Sequence, residues 1–318
     1  MKKQLLIAAV AATMTSAAMA DISITGGAKV NYLNTENGSG NAALSTNAIN
    51  HDVDFTIKGQ NGDTAVTMTV ATTAASTSSA DTTAGLNVED TYLTTKVGDI
   101  AIKTGTWMTG DDMLNTTSRA EGKFEASTSF SGVKVTYTDT QDSNATVKLA
   151  TTLSDVAVSY ERGTVSDTYT LDTTVAGFGI SYKLRALDAA TSDKDSLMLT
   201  KEFNGVTATY AQANADTSAV LAGDSWLGDY EGAGDATLVG GDDVSGFGAA
   251  MSVAGNTIQV KSITVDATSG NDTDFTKFYV TRPLAGGATF EAIYTDKDVA
   301  GSTENDSKIL DLELAVKF

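Results

Sequence analysis

The chain is 318 residues long and carries 40 acidic against 21 basic residues, no cysteine, one proline and 29 glycines. Without cysteine there are no disulfide staples and no thiol chemistry. The formal net charge of −19 disfavours nucleic acid, whose phosphates it would repel.

Residues 1–20 read as a secretory signal peptide. Lys2 and Lys3 supply the positive start, an apolar run follows, and Ala18, Met19 and Ala20 form a small-x-small cleavage site before Asp21. The run is too short for a spanning helix, and no later segment approaches the roughly 18 apolar residues such a helix requires. Loss of the leader removes two lysines, so residues 21–318 are more acidic still. The mature chain is therefore exported, and either soluble or inserted as β-structure.

After Asp21 the pattern has period two throughout. Ile22, Ile24, Ala28, Val30 and Tyr32 share one face; the series continues through Val66, Met68 and Val70, then Leu86, Val88 and Tyr92, and on to Phe290, Ala292 and Tyr294. The chain closes with Leu310, Leu312, Leu314, Val316 and Phe318 on even positions, and Asp311, Glu313, Ala315 and Lys317 on odd ones. This template predicts about eighteen strands. Tight links such as Ser131-Gly132, Ala176-Gly177 and Asn204-Gly205 suit two-residue hairpin turns and alternate with longer polar links, including 71–85, 106–121, 139–144, 161–167 and 213–245.

A β-sandwich has no reason to sort its connections into a short end and a long end, whereas a membrane barrel does. Lys29, Lys58, Lys103, Lys123, Lys183 and Arg185 fall opposite the oily stripe, as they would with lipid outside and water within. Lys201 breaks this parity, and residues 262–265 shift phase, which reads as a bulge. Phe130, Phe178, Phe203 and Phe318 sit at turn-side strand ends, while Tyr32, Tyr137, Tyr160, Tyr169, Tyr210 and Tyr294 sit toward the loop side. Two aromatic belts are what two membrane interfaces select. The expectation is an all-β transmembrane antiparallel barrel with short periplasmic turns and long extracellular loops. Sixteen or more strands enclose water rather than a filled core.

The terminal Phe318 after alternating apolar residues resembles the C-terminal signature of Gram-negative outer-membrane proteins, which implies recognition by the barrel-assembly machinery. The stretch VEDTYLTTKVGDIAIKTGTW, residues 88–107, resembles the Gram-negative general diffusion porins. That resemblance implies sixteen strands rather than eighteen, a homotrimer in outer-membrane lipid and lipopolysaccharide, and a constriction loop near 106–123 folded into the lumen. In that loop Asp111, Asp112 and Glu121 would form an acidic face beside Arg119, opposite lumenal Lys29, Lys58 and Lys103. Opposed charges at a narrow point order water and favour small polar solutes. Unlike the family pattern, Thr106 rather than arginine follows Gly105, and few arginines are present; a weak basic wall and 40 acidic residues point to cation preference.

The expected function is passive diffusion of small hydrophilic solutes and ions, without cofactor or bound metal. In the link 213–245, Trp226 and Tyr230 are candidate solute contacts by stacking on a sugar ring, and Asp224, Asp229, Asp242 and Asp243 are candidate cation ligands without EF-hand spacing. Alternatives are a channel specific for a sugar or peptide and a structural or adhesive surface barrel. An enzyme is disfavoured: His51 is the only histidine, and on a strand Asp52 beside it points the other way.

Overall fold

The computed structural model describes residues 21–38, 45–73, 85–109, 114, 118–141, 143–188, 193–216, 219, 221, 226–227, 240–301 and 306–318. They form β1 (Asp21–Asn37), β2 (Ser45–Asn61), β3 (Thr64–Thr73), β4 (Gly85–Val97), β5 (Ile100–Thr109) and β6 (Ser118–Phe130). Next come β7 (Val133–Thr140), β8 (Ser143–Leu153), β9 (Val156–Arg162), β10 (Ser166–Val175), β11 (Phe178–Leu187) and β12 (Lys194–Phe203). The last are β13 (Val206–Ala215), β14 (Asp243–Val253), β15 (Asn256–Asp266), β16 (Thr273–Pro283), β17 (Ala288–Val299) and β18 (Ser307–Lys317). Each strand pairs antiparallel with its sequence neighbours, and β1 pairs with both β2 and β18. The result is a closed barrel of eighteen strands, the number counted from the alternation and two more than the family resemblance implies.

The short-side turns explain the regular pairing. Ser131, Ala176, Asn204 and Ala254 adopt positive φ and are each followed by a positive-φ glycine. That doubly left-handed geometry matches the twist of the flanking strands. Two connections on the other side are shorter than expected, since 141–142 and 163–165 span only two and three residues.

The oily stripe faces outward along the whole wall. Phe130 is 78% exposed and Phe318 63%, levels that water would not tolerate over so large a continuous surface. Lys201, the parity exception, lies on this outer face beside a short-side turn. Its Nζ donates to the Ala176 carbonyl at 2.6 Å and lies over the Phe178 ring at 4.5 Å. A lysine at that height keeps its ammonium at the polar edge while its stem covers aromatic surface.

The β1–β18 ladder that closes the barrel runs from Asn37 opposite Ser307 to Gly27 opposite Lys317 and continues to the last residue. The Gly26 N–H donates to the Phe318 carbonyl at 2.8 Å, and the Phe318 N–H returns to the Gly26 carbonyl at 3.0 Å. A Cβ on Gly26 would lie 2.5 Å from the Asp54 carbonyl oxygen and 2.9 Å from the Phe318 ring. Gly26→Val is therefore expected to destabilise the folded barrel by about 2–3 kcal/mol through overpacking. Gly59→Ala, whose Cβ meets nothing within 4 Å, should change stability by less than about 0.5 kcal/mol. Urea titration in lipid vesicles, followed by tryptophan fluorescence, measures both.

Candidate functional site: the barrel lumen

The inward faces of most strands are polar, but toward their loop-side ends those of β13–β16 carry an apolar patch. Ala211, Ala213, Val244, Ile263, Val265 and Phe275 point inward and are buried. The ladders of β15 with β14 and β16 run without a register shift. The phase change at 262–265 is thus no bulge: the apolar stripe of this strand passes from its outer face at Ile258 and Val260 to its inner face at Ile263 and Val265, while Ser262 and Thr264 face outward. Something other than water must cover its lumenal side.

The cover comes from two connections. Leu114, between β5 and β6, is fully buried among Ala211, Ala213, Val244 and Ile263. Its carbonyl accepts from Arg185 at 3.0 Å and from Lys194 at 3.4 Å, both on the inner wall of β11–β12. β6 and β13 stand seven strands apart around an eighteen-strand wall, so this contact runs through the interior. Leu221 and Leu227, from the connection 216–242, join the same cluster, with Trp226 packed against it. The Trp226 ring lies 5.0 Å from the Lys261 ammonium, and a Cβ on Gly248 would approach it to 2.9 Å. Instead of lying free on a surface loop, Trp226 is wedged against the inner wall.

Two bulges aim the other lumenal groups. On β4 the register shifts opposite Thr69/Val70, so that Val70 pairs with Val88 and Thr69 with Asp90. The extra residue, Glu89, flips the parity that follows. Leu86 and Val88 face outward as expected, but Tyr92 faces inward, against its assignment to the oily stripe. There its ring meets Trp107 edge-on at 6.2 Å and takes the Lys103 ammonium at 4.0 Å. The shift also brings Glu89 and Asp90 together at Arg119, whose guanidinium donates to them at 3.3 and 3.2 Å. The second bulge lies between Gly105 and Trp107. Gly105 has φ +135°, and a Cβ there would lie 2.2 Å from the Thr91 carbonyl oxygen, so only glycine lets β5 pass this close to β4. Beyond it Trp107 is buried, and its carbonyl accepts from Lys123 at 2.6 Å.

The connection between β5 and β6 is 110–117, narrower than the expected loop near 106–123, whose ends belong to the strands. Arg119 and Glu121 lie on β6, and Glu121 is exposed. Lys58 and Lys103 face inward, as does Lys29, which stands 3.9 Å from Asp52. Asp111, Asp112, Asp224, Asp229 and Tyr230 lie outside the described residues. His51 sits across from Val30 on the outward face and Asp52 on the inward one, so the two form no dyad. Among the described residues, no group of three acidic or histidine side chains is placed to hold a metal.

This architecture matches solved structures along nearly the whole chain. The fold is that of an outer-membrane porin. OccK9 (OpdG) of Pseudomonas aeruginosa aligns with a TM-score of 0.75 at 11% identity, over 94% of this chain and 98% of its own. OpdK of the same species, solved with vanillate, aligns at 0.67 and 9% over 93% and 98%. A BenF-like porin from Pseudomonas fluorescens aligns at 0.67 and 10% over 94% and 99%. No family model matches the sequence, and no curated protein matches it.

Leu114 carries the docking of its connection. Leu114→Ala is expected to weaken that docking by about 2–4 kcal/mol while leaving the wall intact. Limited proteolysis of the folded barrel within 110–117 should accelerate by roughly 30-fold or more, with unchanged β-sheet circular dichroism.

Proposed function

We propose that this chain, after removal of residues 1–20, forms a water-filled channel in the outer membrane of a Gram-negative bacterium. Small hydrophilic solutes and ions pass through it down their gradients. The observation that carries this reading is a closed wall, apolar outside and charged inside, with a connection that crosses the interior to the far side. Lipid covers the outer face, and backbone closure leaves no unsatisfied strand edge within it. The C-terminal Phe318 serves the barrel-assembly machinery, and the channel needs no cofactor and turns over no substrate.

The segment 110–117 is the proposed constriction. Arg185 and Lys194 hold its Leu114 carbonyl, and the same segment carries Asp111 and Asp112 in its sequence. Opposed charges at such a segment favour small polar solutes, and its carboxylates favour cations. In planar bilayers the purified protein should give steady conductance with cation preference, which Asp111→Asn/Asp112→Asn should reduce severalfold. Anion preference of the wild type would refute the charge assignment and leave the channel standing.

A specific channel is the second reading, favoured by the lumenal cations Lys103 and Lys123 at the Tyr92–Trp107 pair together with Arg185 and Lys194 at the Leu114 carbonyl. OpdK was solved with vanillate, an aromatic carboxylate, and such a lining suits that chemistry. Saturable block of ion current by one solute class at micromolar concentration supports this reading; block that depends on solute size alone supports general diffusion.

A further inference from the structure

Few cations stand on the outer wall, and those at its turn-side edge lack a partner within the protein. This inference rests on the membrane reading above. Among the described strands, the basic residues that point outward are Arg162, Lys201, Arg282 and Lys308. On the loop side both cations face carboxylates. Arg162 donates to Asp167 at 2.7 Å, and Lys308 stands between Glu36 and Asp296 in the ladder.

The turn side is different. Lys201 and Arg282 lie within two residues of the turn-side ends of β12 and β16. Among the described residues neither forms an ion pair. No described carboxylate points outward from the turn-side half of a strand. Glu202, next to Lys201, faces the lumen, and Asp155 belongs to a turn. Any counter-charge for these cations has to come from outside the chain.

Lys201 is the one held in place. Its Nζ donates to the Ala176 carbonyl at 2.6 Å and lies 4.5 and 5.5 Å from the exposed rings of Phe178 and Phe203. A Cβ on Gly177 would come within 2.7 Å of that nitrogen, so the glycine turn leaves the ammonium a fitted position. An ammonium has three N–H donors, and the carbonyl takes one. Two steps along an inclined strand put Lys201 about 5 Å above the end of β12. The bond to the turn carries its charge lower, to the level where headgroups begin. Arg282, by contrast, has no carbonyl or ring holding it among the described residues.

We propose that Lys201, Phe178 and Phe203 form a binding site for the phosphate of a glycerophospholipid in the periplasmic leaflet. The phosphate accepts the two remaining N–H donors in charge-assisted bonds, and the two rings receive the glycerol and the first acyl carbons. With no outward carboxylate nearby to receive a headgroup amine, the site prefers anionic headgroups to zwitterionic ones.

The test uses native mass spectrometry of the full-length protein, stripped of lipid in detergent. Phosphatidylglycerol, diacylglycerol with the same chains, and inorganic phosphate are titrated against wild type, Lys201→Met and Arg282→Met. Methionine keeps an apolar stem on the lipid face and removes only the charge. Wild type should retain phosphatidylglycerol over diacylglycerol, and Lys201→Met should weaken that retention by roughly fivefold. Arg282→Met should stay near wild type, and inorganic phosphate at equal concentration should displace no lipid. Equal retention of the two lipids by wild type, no loss in Lys201→Met, an equal loss in Arg282→Met, or displacement by inorganic phosphate would each overturn the site. The wild-type comparison stands even where a variant fails to fold. A protein that never inserts into vesicles sinks the membrane reading instead; one that inserts without headgroup preference loses this site alone.

Discussion

The β1–β18 seam is the interaction on which the rest depends. An open sheet of eighteen strands would present two edges of unpaired N–H and C=O groups. In hydrocarbon each unsatisfied group costs several kcal/mol. Two reciprocal hydrogen bonds between Gly26 and Phe318 extend the ladder to the last residue, and glycine at position 26 admits the Phe318 ring. Closure then makes inside and outside strict alternatives: every residue on a regular strand belongs to lipid or to lumen.

That strictness gives small irregularities large effects. Glu89 at the β4 bulge moves Tyr92 from one solvent to the other and gathers two carboxylates at Arg119. The bulge between Gly105 and Trp107 buries an indole beside Lys103 and Lys123. A bulge is one way a closed wall can bring consecutive residues to the same face. The other departure from strict alternation is apolar: toward the loop side β13–β16 turn their oily residues inward and hold down Leu114, Leu221 and Leu227. Hydrophobic burial inside the barrel thus fixes both the neighbouring connection 216–242 and the connection 110–117, whose strand roots lie across the lumen.

Strand number and the facing of most side chains were legible because period-two alternation is a local property, readable within one segment. The extents of 141–142 and 163–165 were not, since strand ends are set by pairing with neighbours rather than by alternation. The Tyr92 flip did leave a sequence signal: the apolar parity passes from Leu86 and Val88 to Leu93 and Val97 across the adjacent charges Glu89-Asp90. Ile263, Val265 and Phe275 broke the alternation visibly, yet a bulge and a change of apolar face without one look alike in one segment. Only the uninterrupted ladders separate them. Leu114 carried no signal, because its partners lie about 100–160 residues further along the chain.

The distribution of charge argues against reading lumen chemistry from net charge. Asp243 faces Asp266, and Asp274 faces Asp298, on the outer rim of β14–β17. Lys261, Lys277 and Lys297 line the inner face of the same sector. Much of the acidic excess there faces away from the lumen, screened by water and salt at the rim. A charge on the inner wall acts across a narrow, weakly screened space and counts for more. The sign of the field a solute meets is therefore set by the few charged groups of the inner wall, Arg185, Lys194, Lys103 and Lys123 among them. A chain with a formal charge of −19 can thus line part of its own lumen with cations.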